Sequence, residues 1–182
     1  MNMEKVKELN LMDNKKLIIL LNIVSFVIII PMIVLFFAVA YWVAGPDSFG
    51  SPTDSLLTLI FTLIAIIFIH ELIHGLFFKL FNPKGKVKFG FKKGMAYATS
   101  PGSFYTKKQF YTIALAPFVI ITLILILGLA LGVIGSPFFM VIASLHGSAC
   151  TGDFYMSIYL MRQNKDVYVE DTEAGLNIYR KV

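Results

Sequence analysis

His70, Glu71 and His74 stand in the stretch FIHELIHGLFF, where almost every other residue from Phe68 to Phe78 is apolar. Residues four apart share one face of an α-helix, so both imidazoles can reach a single metal ion while Glu71 faces a neighbouring water. The spacing is H-E-x-x-H, and its chemistry is hydrolysis: two neutral imidazole donors, an open position, and a carboxylate able to take a proton. Zinc is the ion that histidine and carboxylate donors suit. The bland reading, polar residues satisfied by local partners, is weak in a membrane helix, where an acidic side chain costs about 2.5 kcal/mol or more to insert. Gly75, directly after His74, leaves a flat spot for a close neighbour.

A catalytic zinc takes a third protein ligand. The candidates are His146 and Asp153, both in ASLHGSACTGDFYM. Depth separates them. From the polar boundary near Phe81, His70 and His74 lie roughly 10 to 17 Å into the apolar run at about 1.5 Å per residue. Asp153, counted from Met161, is level with them, and His146 is nearly two turns further away. Asp153 is therefore the expected third ligand. His146 reads as a polar neighbour that reaches the substrate carbonyl, where an oxyanion develops, or orients a group near the metal; the competing reading is a buried histidine bonded to a backbone carbonyl. Cys150 reads as a small apolar residue. The acids Asp166, Glu170, Asp171 and Glu173 read as a solvated segment.

These residues need elements to hold them. The chain is 57% hydrophobic and 15% charged, with a mean hydropathy of +0.76, beyond what a soluble domain of this length can bury. Four apolar stretches, Leu17 to Ala44, Ser55 to Phe81, Phe110 to Ile134 and Pro137 to Met161, are each about 25 residues long, against roughly 20 for a bilayer crossing. The expected fold class is all-α integral membrane, with four transmembrane helices and a small cytoplasmic β-hairpin insert between the second and third. The expected organisation is an N-terminal arm (1–16, helical), a transmembrane domain (17–162, insert 82–109) and a cytoplasmic tail (163–182). In the insert, KVKFGF and MAYATS have strand-like composition on either side of a KKG turn. Pro117 frees a backbone carbonyl and kinks its span, and the kink either opens space at the depth of the histidines or serves packing.

Charge sets the orientation. All 16 Lys and Arg residues fall on one side of the four-span arrangement, which places both termini and the insert in the cytoplasm of a cell-membrane protein. The same basicity implies attraction to anionic lipid, not nucleic-acid binding, because no aromatic-interleaved basic domain exists to read bases. The first stretch is longer than a signal-peptide core and reads as a retained span. A single cysteine excludes an intrachain disulfide framework.

HELIH in a membrane helix, the lysine-rich hairpin, FYTIALAPFVIITL, GDF and the ending VEDTEAGLNIY together resemble the bacterial membrane family of putative zincin peptidases, which is similar to the site-two intramembrane metalloproteases. The resemblance covers most of the chain after about Ser55. It implies zinc on His70, His74 and Asp153, with Glu71 as the base. It departs from the site-two pattern at His146, where an asparagine is usual, and at Phe154, where a glycine follows the aspartate. The expected activity is hydrolysis of peptide bonds in a membrane protein or membrane-associated peptide. MAYATS is expected to hold that substrate by strand addition. Two other readings compete: a non-catalytic metal-binding accessory or immunity protein, and a small ion transporter.

Overall fold

The long apolar runs form helices whose ends are set by local chemistry. A computed structural model describes residues 3–50, 55–92 and 95–182. Helix α1 spans Lys15–Ala44 and starts where the Asn14 side chain accepts the Leu17 amide hydrogen at 3.1 Å. Helix α2, Leu56–Phe81, carries HELIH. Helix α3, Lys107–Ala130, begins with a capping box: the Gln109 side chain accepts the Thr106 amide hydrogen at 2.9 Å, and the Thr106 hydroxyl accepts that of Gln109 at 3.3 Å. These three are long and apolar enough to cross a membrane.

The fourth stretch departs from expectation. It is two helices, α4 (Ser136–Ala149) and α5 (Thr151–Met161), interrupted at Cys150. Hydroxyl groups compete for the backbone there: Ser148 Oγ donates to the Leu145 carbonyl at 2.9 Å and Thr151 Oγ1 to that of Ser148 at 2.6 Å. Neither helix alone reaches the roughly 20 residues of a crossing. The expectation of four transmembrane helices therefore gives way to three candidate spans.

Nor is the fold all-α. The described residues include six strands in two antiparallel sheets. The expected hairpin is present as β2 (Lys88–Lys92) and β3 (Met95–Thr99), with Lys92 opposite Met95. Its turn at 93–94 lies outside the described residues, as do 51–54 of the first connection. The second sheet was not anticipated. It has the order β1 (Met3–Asn10), β6 (Gly175–Lys181), β5 (Val167–Thr172), β4 (Tyr105–Thr106). The N-terminal arm, expected to be helical, is a strand that runs from Met3 opposite Lys181 to Asn10 opposite Gly175. Gly175 is required at this corner, because its φ is +139° and a Cβ would overlap the Leu9 carbonyl oxygen.

The chain divides into two compact units. One comprises Met1–Leu21, Phe68–Pro117 and Gly152–Val182 and contains both sheets. Its core joins the inward residues of β5 and β6, Val167, Val169, Leu176 and Ile178, to Phe78 of α2, Phe110 and Ile113 of α3, and Leu160 of α5. The other comprises Asn22–Ile67 and Phe118–Thr151. Within it, Phe36 meets Phe139 edge to face at 5.8 Å, and Ser25 Oγ donates to the Ser148 carbonyl at 2.7 Å.

The tail acids are not simply solvated. Glu170 Oε1 accepts the Gly102 amide hydrogen at 2.7 Å, while Oε2 accepts from Tyr179 Oη at 2.7 Å and Asn177 Nδ2 at 3.1 Å. Burial alone would raise the Glu170 carboxyl, but these donors outweigh it and hold the group below its ordinary value. A carboxylate depressed on folding stabilises the protein above its unfolded pKa and loses that contribution as the pH falls through the folded one. Glu170→Gln should accordingly lower the melting temperature at pH 7 by about 2–4 °C. The gap to the unmodified protein should close as the pH drops below about 4.3, as thermal melts at pH 7, 5 and 3 would measure.

Candidate metal centre

Helix α2 puts His70 and His74 one turn apart, and their rings meet at 79° with centroids 4.8 Å apart. Their Nε2 atoms are 3.1 Å apart. Asp153, in the first turn of α5, completes the group: Oδ2 lies 3.2 Å from His70 Nε2 and Oδ1 lies 3.5 Å from His74 Nε2. The start of α5 suits a carboxylate, since the amide hydrogens at a helix N-terminus favour negative charge. His74 and Asp153 are both buried.

The tautomer of His74 follows from its other nitrogen. Nδ1 is 2.9 Å from the Ile113 carbonyl oxygen, which can only accept, so Nδ1 carries the hydrogen. In the neutral ring, Nε2 then presents a lone pair toward His70 and Asp153. Converging lone pairs this close need a proton or a cation between them. Two donors about 2.0–2.1 Å from a tetrahedral ion stand roughly 3.3 Å apart, and the three spacings here, 3.1, 3.2 and 3.5 Å, bracket that value. All three ligand atoms lie within 4.8 Å of one another. The donor set and its spacing fit zinc.

The Ile113 carbonyl is available because of Pro117. In a helix that oxygen would accept the amide hydrogen of residue 117, which proline lacks.

Glu71 is partly buried beside this group, within electrostatic reach of His70, His74 and Asp153, and accepts a hydrogen bond from the Ala98 backbone amide. The edge of β3 thus faces the carboxylate. Gly75 allows the approach, because a Cβ there would fall 2.5 Å from Cζ of Phe89 on β2, the strand paired with β3. The next residue of β3, Thr99, is tied to the C-terminal sheet: its Oγ1 donates to the Asp171 carbonyl at 2.7 Å. Asp171 itself, read from sequence as solvated, lies within electrostatic reach of His74, Asp153 and Glu71, and burial holds its carboxyl well above the ordinary carboxylate range. Nothing local in VEDTEAG announces this placement, which depends on strand pairing.

His146 and Cys150 are buried within the second unit. The His146 ring stacks on Phe118 at a centroid distance of 6.5 Å, and its Nε2 is 3.7 Å from Cys150 Sγ.

No curated protein and no solved structure matches the chain. A family model does match, over residues 63–168, and its description is "Putative zincin peptidase". The matched segment spans HELIH, the hairpin, Pro117 and Asp153, and the chain belongs to the family so described.

Proposed function

We propose that this protein is an intramembrane zinc metallopeptidase of the site-two kind, cleaving membrane proteins or membrane-associated peptides near the cytoplasmic face. The observation that carries this reading is the convergence of His70, His74 and Asp153 beside Glu71, all four on or against an apolar helix long enough to cross a bilayer. His70, His74 and Asp153 would hold the ion. Bound there, zinc would polarise the scissile carbonyl and acidify water enough to attack near neutral pH.

The remaining work belongs to the chain. Glu71 takes the proton of the attacking water and returns it to the departing amine. The Ala98 amide of β3 donates toward that carboxylate. The β3 edge on the same side offers backbone groups to an extended substrate, so an unwound stretch of a membrane helix can pair with it irrespective of side chains. Lys84, Lys86, Lys88 and Lys92, in the connection that carries β2 and β3, support the cytoplasmic assignment of that edge.

The test uses purified protein in liposomes with an embedded single-span peptide that carries a Gly-Pro pair. Cleavage should fall to background on chelation and return with one equivalent of zinc. Cleavage by metal-free protein would overturn the reading. Stoichiometric zinc with no cleavage of this peptide or of casein would favour the non-catalytic accessory role.

A further inference from the structure

We infer that Pro117 is a positioning residue for the metal centre: by withholding an amide hydrogen from Ile113, it leaves that carbonyl to fix the tautomer and orientation of His74. The inference rests on the metallopeptidase reading above. Three observations carry it. Pro117 lies inside α3, four residues after Ile113, with helix continuing on both sides. The Ile113 oxygen is 2.9 Å from His74 Nδ1. His74 Nε2, at the opposite side of the ring, is the atom that faces His70 Nε2 and Asp153 Oδ1.

The physical sequence is short. A proline ring removes the i→i−4 bond and crowds the carbonyl of residue i−4, tilting it away from the helix axis. In an apolar environment an orphaned carbonyl is unfavourable unless a neighbour donates to it. His74 Nδ1–H is that donor, and the pairing holds the ring in the Nδ1–H tautomer, with Nε2 free to ligate. Partners of this outer kind typically change metal affinity by about 10–100-fold. An alanine at 117 would restore a helical donor to Ile113, draw the carbonyl back toward the axis and release the imidazole.

The experiment compares the full chain with Pro117→Ala and with a variant that carries lactic acid at 117, whose backbone ester lacks the donor but has no ring. Two readouts are taken: the ¹⁵N spectrum of His74 in the metal-free protein, and zinc affinity by competition with a chromophoric chelator. Pro117→Ala should mix the His74 tautomers and weaken zinc binding about 10-fold or more, whereas the ester variant should keep both close to the original. A single Nδ1–H tautomer and unchanged affinity in Pro117→Ala would overturn the inference. Loss of both in the ester variant as well would assign the effect to the ring and the helix bend, and overturn the role given to the missing donor. A failure of the metallopeptidase reading would look different: zinc would bind none of the proteins, while the ¹⁵N spectra would still report the link from Pro117 to His74.

Discussion

Glu71→Gln should keep stoichiometric zinc and lose about 10²–10⁴ of the hydrolytic rate, the usual contribution of a general base. In activation free energy this is about 3–5 kcal/mol. Glutamine is the informative replacement because it keeps the size of the side chain and an oxygen that can accept from the Ala98 amide, while it cannot take a proton as the carboxylate does. Liposome cleavage assays beside metal analysis measure both halves. Equal rates for the two proteins would mean that Glu71 takes no proton in the reaction. Loss of zinc together with rate would mean that the carboxylate serves the site's assembly.

Asp153→Asn should have the opposite signature, with metal and activity failing together. Asp153 is the sole anion among the three donors, and it bridges the two imidazoles at 3.2 and 3.5 Å. Replacing it removes a ligand and leaves two neutral nitrogens 3.1 Å apart. The loss in zinc affinity should exceed the 10–100-fold, approximately, of an outer-shell partner. Thermal melts give an independent reading, since a ligand at free concentration L that binds only the folded state stabilises it by RT ln(1 + L/Kd). Added zinc should raise the melting temperature of the original protein and leave that of the variant unmoved. An equal rise in both would remove Asp153 from the ligand set.

HELIH and Asp153 were legible because helical geometry is local: spacing along α2 puts two imidazoles together, and counting along α5 puts a carboxylate level with them. The depth count survived the break at Cys150 because Asp153 and Met161 both lie on the α5 side of it. The break itself was signalled only by the small and hydroxyl residues of GSACTG, which an apolar run of that length conceals. The N-terminal arm misled for a different reason. MEKVKELN is rich in helix formers, and it is a strand because β6 is there to pair with it, a partner that no local propensity encodes. The placement of Asp171 beside the site was hidden in the same way, since it follows from the register of β5 and from the Thr99 hydroxyl. Pro117 stands out in the sequence, but the recipient of its freed carbonyl is set only by the packing of α2 beside α3.

The pairing of β1 with β6 also orders assembly. Because β1 precedes the first helix and β6 follows the last, their hydrogen bonds close a loop that contains every helix of the chain, and the entropy of that closure can be repaid only once those helices have been placed. The ladder that also holds β5, the strand bearing Asp171, is thereby complete only when the two ends of the chain have met.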